Sequence, residues 1–384
     1  MNGSSFTPEE LRRYSRHLLI PEVGMAGQRR LKDSAVLVVG VGGLGSPAAQ
    51  YLAAAGVGRL GLVDFDVVSE SNLQRQVLYG NASLGQRKVE AARARLNDLN
   101  PEVEVTMYDR VFDRSSAMEI ANGYSLILDG TDNFPTRYLT NDLCVKLGIP
   151  NVYGSIYRFE GQVSLFDGRS GPCYRCLFPE PPPPGSVPSC AEGGVLGVLP
   201  GVIGSLQAAE ALKWLLGIGE MLQGWLLLYN ALDASVDRIR LRKNPECRVC
   251  GRPPEEIELI DYEQFCGVPI AEAPHGRPMT AKVAPRELVD ELKGGKDIKL
   301  IDVREPHELE ISALEGTINI PIGSLPERLK DLDTQQAYVV MCRSGSRSAR
   351  GVDLMHAAGF GDVRNLEGGI NEWARVVDPH LSVY

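Results

Sequence analysis

The amino-acid sequence predicts an α/β protein with two domains, the larger of which contains a mainly parallel sheet. Two observations support this prediction. Apolar, strand-like runs alternate with helical patterns over residues 35–250, and a second alternation of the same kind begins at residue 279. Residues 251–278 are rich in proline and acidic side chains and show no clear period, so they are predicted to be a linker. We therefore expect one domain at residues 1–250 and a smaller α/β domain at residues 279–384.

The individual elements follow from the same patterns, taken in chain order. Residues 5–32 have the pattern of short helices. The first domain's strands are predicted at residues 35–40, 60–64, 103–108, 125–129 and 150–155, with two more inside 161–168 and 225–233. In the second domain, Pro285 suits the first position of a helix. Strands are then predicted at residues 298–303, 317–322 and 337–341, and a helix follows Cys342.

Composition restricts the class of protein. The formal net charge is −9, which argues against a general nucleic-acid binder, because such proteins carry a basic face. The N-terminal residues lack the apolar segment of a signal peptide. The longest uncharged run, residues 193–209, is shorter than the roughly 20 residues of a membrane-spanning helix. We expect a cytoplasmic protein with reduced cysteines and with no nucleic-acid or membrane partner.

A glycine motif follows the first predicted strand. Gly40, Gly42 and Gly45 fit G-x-G-x-x-G, in which the glycines let the backbone approach a phosphate and a helix N-terminus faces it. Asp64 ends the next strand, where a carboxylate can accept hydrogen bonds from ribose hydroxyls. The motif predicts a Rossmann-like nucleotide-binding domain, and on this evidence alone NAD is the default ligand.

The polar residues after this motif favour a triphosphate. Asn72, Arg75 and Lys88 supply an amide and two cations, which phosphates need and a nicotinamide ring does not. Asp132 and Asn133 follow a later strand at its carboxyl end, where open α/β sheets bind ligands. The Asp132 carboxylate is suited to Mg²⁺, which binds carboxylate and phosphate oxygens. A solvated charge or a helix cap is the alternative for each residue, but the ordered set favours ATP.

Two C-x-x-C pairs predict a metal site. Cys173 and Cys176 form the first pair, and Cys247 and Cys250 form the second, far along the chain. In a reduced compartment such pairs are typical of a tetrahedral Cys₄ zinc site. Redox-active pairs or buried thiols are the alternatives, but neither pair opens a thioredoxin-like helix. The zinc is expected to be structural, with no open coordination position.

A third cysteine near the first pair has a different setting. Cys190 follows "FPEPPPPGSVPS", and consecutive prolines favour an extended polyproline II segment that cannot join a sheet. We expect this segment to be an arm that crosses the active site, with Cys190 able to reach an activated acyl group. A loop cysteine without a role is the alternative.

The second domain contains a cysteine loop after a strand. The loop comprises Cys342, Arg343, Ser344, Gly345, Ser346 and Arg347. Backbone N–H groups and a helix N-terminus are expected to stabilise the Cys342 thiolate. Its spacing is C-x4-R, one residue shorter than the C-x5-R of phosphatase loops. The shorter loop suits a sulfane sulfur better than a phosphate, so the sequence favours sulfur transfer over phosphate-ester hydrolysis.

Residues 8–250 resemble the MoeB/ThiF family, which is related to the ubiquitin-activating enzymes. The resemblance rests on the stretches "RYSRHLLIPEVGMAGQRRLKDSAVLVVGVGGLG", "SNLQRQ", "GTDNFPTRYLTND", "EGQVSLFDG", "GPCYRCLFP", "CAEGGVLGVLPGVIGSLQAAEALK" and "NPECRVCG". It implies binding of MgATP and adenylation of the C-terminal glycine of a ubiquitin-like protein. The ATP-binding residues it implies are Gly40, Gly42, Gly43, Gly45, Asp64, Ser71, Asn72, Arg75, Lys88, Asp132 and Asn133.

The same resemblance implies further roles. Asp132 would be the magnesium residue, and Cys190 occupies the position of a thioester or acyl-disulfide cysteine. A homodimer is implied, in which Arg16 reaches the ATP of the neighbouring subunit. Residues 279–384 resemble the rhodanese family, through "LIDVREPHELEISALEGTINIP", the Cys342 loop and "GGINEWARVVDP". That family carries a persulfide on the loop cysteine, and Asp302 and Arg304 match its "DVRE" motif as structural support.

Together these features predict an adenylyltransferase joined to a sulfurtransferase. Asp132, Arg75, Cys190 and Cys342 are the predicted catalytic residues. The expected partners are a ubiquitin-like sulfur carrier ending in Gly-Gly and a persulfide donor such as a cysteine desulfurase. The product would be a C-terminal thiocarboxylate for molybdenum cofactor (molybdopterin), thiamine, tRNA-thiolation or related pathways. The main alternative is an NAD(P)-dependent oxidoreductase with a regulatory rhodanese-like module, for which the sequence offers no nicotinamide contact.

Overall fold

The computed structural model describes residues 6–183, 193–267 and 281–384. The chain divides into two compact units, Met1–Ala271 and Glu272–Tyr384. Among the described helices, none combines the length and the apolar composition that crossing a bilayer requires.

The first unit is built on an eight-stranded sheet with the order β3-β2-β1-β4-β5-β6-β7-β8. Its first five strands are parallel and alternate with helices, whereas the last three add an antiparallel extension. The strands are β1 Ala35–Val39, β2 Arg59–Val63, β3 Glu104–Tyr108, β4 Leu126–Asp129, β5 Asn151–Tyr157, β6 Glu160–Phe166, β7 Trp225–Asn230 and β8 Ser235–Arg240. All seven strands predicted for this domain are present, and β8 was not predicted.

The described helices of the first unit lie around this sheet. They are α1 Pro8–Arg13, α2 Ser15–Leu18, α3 Gly24–Lys32, α4 Gly45–Ala55, α5 Glu70–Leu73, α6 Lys88–Leu99, α7 Ala117–Ile120, α8 Phe134–Leu147, α9 Tyr174–Leu177, α10 Leu199–Leu216 and α11 Tyr262–Phe265, with 3₁₀ turns at Asn81–Ser83 and Pro254–Glu256. Local signals set the ends of several helices. Thr7 and Glu10 form a capping box that starts α1, and Asn133 caps α8 by accepting a hydrogen bond from the Thr136 amide.

Side chains of β1 illustrate how the sheet is buried. Val36 and Val38 join one apolar cluster, and Leu37 and Val39 join another, as the alternation of side chains along a strand requires. All four are almost fully buried. A sheet covered on both faces is typical of parallel α/β folds, and it leaves the carboxyl ends of the strands free to hold polar loops.

Part of the predicted linker is folded on the first unit. Ile257 is buried beside the four paired cysteines, and Tyr262 and Cys266 are buried in the cluster that also contains Tyr138. The Tyr262 hydroxyl donates a hydrogen bond of 2.9 Å to Asp142. Widely spaced apolar residues hold this irregular segment on the first unit. Because they follow no helix or strand period, the sequence pattern did not predict that the segment is packed. Of residues 251–278, the structure describes 251–267.

The second unit is a smaller α/β fold with a five-stranded parallel sheet in the order β11-β10-β12-β13-β9. The strands are β9 Lys282–Val283, β10 Ile298–Asp302, β11 Ile318–Asn319, β12 Ala337–Met341 and β13 Val363–Leu366. The helices are α12 Pro285–Lys293, α13 Pro306–Leu309, α14 Leu325–Arg328, α15 Ser346–Ala357 and α16 Gly369–Val376, with a 3₁₀ turn at Leu329–Asp331. Pro285 begins α12 as predicted, whereas β9 and β13 were not predicted.

Candidate functional site

A cleft of about 490 Å³ opens at the carboxyl ends of β1 and β4. This is the point where the strand order reverses, which is the usual ligand position in an open α/β sheet. Most of the predicted nucleotide-binding residues line this cleft: Gly40, Gly42, Gly43, Asp64, Arg75, Lys88, Asp132 and Asn133.

The glycine loop is tightly packed against the loop that follows β4. A side chain at Gly45 would place its Cβ 1.9 Å from the Gly40 carbonyl oxygen, and one at Gly130 would place it 2.6 Å from the same atom. Gly45 therefore acts by permitting this close approach and is not among the residues that line the cleft. It begins α4, whose first turn closes the loop.

Asp64 is a largely buried carboxylate at the cleft wall. It accepts hydrogen bonds of 2.9 Å from the amides of Val41 and Asp66. Burial raises the pKa of Asp64, although the nearby charge of Lys88 and these amides oppose the increase. The Lys88 ammonium lies 2.8 Å from an Asp66 oxygen and 3.9 Å from an Asp64 oxygen. Lys88 is only 5% exposed and begins α6, so a buried cation is held at the cleft by two carboxylates.

The remaining predicted residues occupy different positions. Arg75 lines the cleft and donates a 2.9 Å hydrogen bond to the Ser71 carbonyl. Asn133 lines it too, but its side-chain oxygen already caps α8. Ser71 and Asn72 lie in the short helix α5 and are not among the lining residues. Arg16 lies on α2, is exposed, and is likewise not a lining residue of the described cleft.

The cleft also contains polar residues that sequence reasoning missed. Asp66, Gln76, Arg110 and Arg137 all line it. Arg137 is 7% exposed and donates a 3.2 Å hydrogen bond to the Thr131 carbonyl. Arg137 lies one turn after Asn133 in "DNFPTR", so its position on the start of α8 was a usable signal. Arg110 had no comparable signal, because it follows β3 in an irregular segment.

The four paired cysteines form one cluster. Their Sγ atoms all lie within 4.8 Å of one another, and three of the six separations are 3.4, 3.6 and 3.9 Å. Zn–S bonds of about 2.3 Å in a tetrahedron require S–S separations of about 3.8 Å. The cluster therefore fits a Cys₄ zinc ion, and the Asn244 amide, which donates to Cys176 over 3.4 Å, further suits a thiolate ligand. Cys190 lies outside the described residues.

The cysteine loop of the second unit follows β12 and leads into α15. Cys342 is fully buried, and its sulfur accepts hydrogen bonds from the Gly345 amide at 3.1 Å and from the Ser348 hydroxyl at 3.3 Å. Gly345 has a φ of +98°, a conformation that side chains disfavour. The Gly345 amide is thus one of the backbone N–H groups expected at the sulfur, whereas the contact of the Ser348 hydroxyl was not predicted.

The two loop arginines differ in their surroundings. Arg347 donates from both terminal nitrogens to Glu308, over 2.6 and 2.7 Å. Burial would raise the pKa of Glu308, but the hydrogen bond from Arg347 and its charge lower it from its usual value of 4.5 to about 2. The charge of Arg347 is therefore largely balanced by a carboxylate that sequence reasoning missed. Arg343 instead lies 5.9 Å from the ring centre of Tyr384.

The "DVRE" residues form a buried ion pair. Asp302 and Arg304 are both fully buried, and their closest nitrogen and oxygen are 2.6 Å apart. Arg304 also donates to the carbonyl of Ser312 and to the hydroxyl of Tyr384. The predicted structural role of this pair agrees with these contacts, because a buried guanidinium needs most of its donors satisfied.

Comparison with known proteins decides the family. The ThiF family matches residues 14–249, and the rhodanese-like domain matches residues 284–376. The chain belongs to the ThiF family. This ThiF-family chain is 48% identical to a probable adenylyltransferase/sulfurtransferase MoeZ of Mycobacterium tuberculosis, over 100% of the chain and 97% of that protein. It is 43% identical to an adenylyltransferase and sulfurtransferase MOCS3 of Drosophila grimshawi, over 98% of the chain and 86% of that protein.

Two further comparisons cover about two thirds of this ThiF-family chain. A sulfur carrier protein adenylyltransferase of Thermus thermophilus is 57% identical over 68% of the chain and 99% of that protein. The crystal structure of E. coli MccB with MccA-N7isoASN shares the fold, with a TM-score of 0.56 and 22% identity over 65% of the chain and 76% of that structure. The predicted fold class, family and enzyme class are confirmed, and the comparisons do not support the oxidoreductase alternative.

Proposed function

We propose that the chain adenylates the C-terminal glycine of a ubiquitin-like sulfur carrier ending in Gly-Gly, and then transfers sulfur from a Cys342 persulfide to form a thiocarboxylate. The observation that supports this most strongly is the cleft at the strand-order reversal. It collects a glycine loop, the Asp64 carboxylate, the cations Arg75 and Lys88, and Asp132. The sulfur-carrier substrate is inferred from the name of the Thermus relative.

In the adenylation step, a carboxylate oxygen of the carrier attacks the α-phosphorus of ATP. A new C–O–P linkage forms, the bond to the β-phosphate oxygen breaks, and pyrophosphate leaves with the electron pair. Asp64 would accept hydrogen bonds from the ribose, while Arg75 and Lys88 would offset phosphate charge. Asp132, exposed in the cleft lining, is the candidate ligand for Mg²⁺, which would offset charge on the departing pyrophosphate.

Binding of a phosphate near Lys88 has a local consequence. Lys88 now contacts Asp66 and, at longer range, Asp64. Phosphate oxygens entering the cleft would compete with these carboxylates for the ammonium group. These carboxylates already order the Lys88 side chain at the cleft, which lowers the entropic cost of ordering it when ATP binds.

In the sulfur-transfer step, the terminal sulfur of the Cys342 persulfide attacks the acyl carbon and AMP leaves. A second thiolate then attacks the Cys342 sulfur of the resulting acyl disulfide, the S–S bond breaks, and the thiocarboxylate leaves with the electron pair. The disulfide that remains on Cys342 is reduced by an external dithiol before the next turnover. Cys190 is the proposed second thiol, or else an acyl acceptor before sulfur transfer. The Gly345 amide and Ser348 hydroxyl hold the Cys342 sulfur during this step.

The remaining assignments complete the proposal. Cys173, Cys176, Cys247 and Cys250 would hold one structural zinc ion, supported by the spacing of their sulfurs. A homodimer, with Arg16 reaching the neighbouring subunit's ATP, and a persulfide donor such as a cysteine desulfurase are also proposed. We place the protein in the cytoplasm, without nucleic-acid or membrane partners, in a thiocarboxylate pathway such as molybdenum cofactor synthesis.

Exchange of labelled pyrophosphate into ATP tests the adenylation half. Exchange is expected only when a carrier ending in Gly-Gly is present, because the carboxylate must attack before pyrophosphate forms. Asp132→Ala should reduce exchange at least about 100-fold, since electrostatic stabilisation of such transition states is worth factors of this size.

Asp98→Ala is the matched control, because the Asp98 side chain is 74% exposed and its pairing with Arg95 is on the surface of α6. This variant should exchange at the wild-type rate. Wild-type-like exchange by Asp132→Ala would remove Asp132 from its assigned role, and carrier-independent exchange would contradict the proposed substrate.

A further inference from the structure

Tyr384, the last residue of the sequence, lies against the cysteine loop of the second unit. Asn371, on α16, donates a 2.8 Å hydrogen bond to the Tyr384 carbonyl and accepts one of 3.2 Å from the Tyr384 amide. The Asn371 amide also donates to the Arg343 carbonyl over 3.1 Å. Asn371 therefore connects Tyr384 to the Cys342 loop, because its side chain binds Tyr384 and its backbone amide binds Arg343.

The Tyr384 hydroxyl contacts the buried Arg304 and the carboxylate that pairs with Arg347. It accepts a 2.7 Å hydrogen bond from Arg304 and donates one of 3.1 Å to Glu308. Burial raises the pKa of Tyr384, so the hydroxyl stays protonated and remains a donor at neutral pH. The same Glu308 oxygen accepts from Arg347 over 2.7 Å. The Tyr384 hydroxyl thus helps to fix the Glu308 carboxylate, which accepts the hydrogen bonds of Arg347.

The Tyr384 ring contacts cations directly. The guanidinium carbons of Arg304 and Arg343 each lie 5.9 Å from the ring centre, near the outer limit of about 6 Å for a cation–π contact. The ion pair with Asp302 already fixes the position of Arg304. Arg343 is therefore the cation whose position the ring can stabilise. Tyr384 is therefore linked to both arginines of the loop, to Arg343 through its ring and to Arg347 through the Glu308 carboxylate that its hydroxyl and Arg347 share.

We propose that Tyr384 is a positioning residue of the sulfurtransferase site, which keeps Arg343 and Arg347 in place for an anionic sulfur donor. This inference rests on the sulfurtransferase half of the proposed function. Thiosulfate is a suitable probe, since it is a dianion whose outer sulfur is taken by the Cys342 thiolate. Sulfite leaves in that step, and cyanide then removes the sulfur as thiocyanate and regenerates the thiolate.

The test compares Tyr384→Phe and Tyr384→Ala in the full chain, with KM for thiosulfate and kcat measured separately. When one long side chain such as arginine is no longer held in place, ordering it on binding weakens the affinity for the ligand by about two- to tenfold. Tyr384→Phe keeps the ring beside Arg343, so its KM should rise about threefold. Tyr384→Ala removes both the ring beside Arg343 and the hydroxyl that contacts Glu308, so its KM should rise about tenfold or more. In both variants kcat should stay within about twofold of wild type, because the contacts of Cys342 with Gly345 and Ser348 remain.

Tyr338→Phe is the matched control, since Tyr338 is buried at the start of β12 and packs on Phe360, with no contact to Tyr384 in the described structure. It should leave KM unchanged even if stability falls. A KM within twofold of wild type in both Tyr384 variants would overturn the proposal, and so would a fall in kcat at constant KM. If the wild-type chain itself transfers no sulfur from thiosulfate to cyanide, the sulfurtransferase assignment fails together with this inference. If Tyr384→Ala does not fold, the KM of Tyr384→Phe for thiosulfate decides by the same criterion.

Discussion

At the scale of single residues, the second unit's site is arranged around a carboxylate that no motif indicated. Glu308 receives Arg347, Tyr384 and the Glu305 amide, and it is only 8% exposed. A carboxylate with three donors is stable in its ionised form even when buried. Its low pKa makes the folded state of this unit sensitive to acid.

Glu308→Gln should therefore destabilise the second unit in a pH-dependent way. The pKa of Glu308 is about 2 in the folded state and near 4.5 when unfolded, so its stabilising contribution is fully present above pH 4.5 and disappears as the pH falls to about 2. The difference in unfolding free energy between wild type and variant, measured in urea, should be at most about 3 kcal/mol at pH 7 and shrink below pH 4.5. A difference that stays constant from pH 6 to pH 2.5 would contradict this. Glu315→Gln, an exposed position, is the control.

At the scale of elements, the four-cysteine cluster joins parts of the first unit that are distant in sequence. Cys173 and Cys176 flank the start of α9, whereas Cys247 and Cys250 follow β8. Arg175, between the first two, pairs with Asp142 of α8 at 2.7 Å, and Asp142 also receives the hydroxyl of Tyr262. The four-cysteine cluster and α11 are thus coupled through one buried carboxylate.

Cys247→Ser should reduce zinc from about one ion per chain to well below one, with a lower midpoint of unfolding for the first unit. Structural zinc contributes on the order of 10 kcal/mol of binding free energy in small zinc domains, so the loss should affect folding more than the chemistry of the cleft. Metal analysis of freshly purified protein provides the measurement. Cys144→Ser is the control, because this buried thiol lies outside the four-cysteine cluster. Wild-type protein without zinc would refute the metal site.

Sequence patterns recovered some elements better than others. Strands such as β1 are continuous apolar runs, which the pattern identifies directly. In contrast, β8 has the sequence SVDRIR, is largely exposed at the sheet edge, and becomes a strand because β7 pairs with it. Strand β9 has two residues and depends on β13 for its hydrogen bonds. Such elements are set by tertiary pairing, which a local pattern does not contain.

The same distinction applies to the site. Gly40, Asp64, Arg75, Lys88 and Asp132 occupy motif positions, so their convergence in the cleft could be predicted. Tyr384 could not, because its approach to the cysteine loop depends on how the segment after α16 folds back onto Asn371. Contacts of this kind between irregular segments have no sequence period.

At the scale of the whole molecule, the two chemistries belong to separate compact units. The cleft residues all lie in the first unit, and Cys342 lies in the second. Joining the units in one chain raises the effective concentration of the sulfur donor near the adenylate. Variants in one unit should therefore affect only the reactions that need that unit.

Cys342→Ala should keep carrier-dependent pyrophosphate exchange within about twofold of wild type, because the residue takes no part in attack on ATP. The same variant should lose sulfur transfer from thiosulfate and thiocarboxylate formation, which mass spectrometry of the carrier detects. Cys190→Ala should retain exchange and thiosulfate activity and reduce only thiocarboxylate formation. A Cys342→Ala protein that still forms the thiocarboxylate would show that the sulfur follows another route.

The packing of Tyr262 and its neighbours determines where the two halves can be exchanged between proteins. A chimaera joined at residue 250 would remove Ile257, Tyr262 and Cys266 from the surfaces they cover, and it would leave the Arg175–Asp142 pair beneath an uncovered patch. A chimaera joined after Gly267 would carry these side chains with the unit on which they pack. The boundary at which the two halves can be recombined therefore lies after Gly267, beyond Cys250 by the whole packed segment.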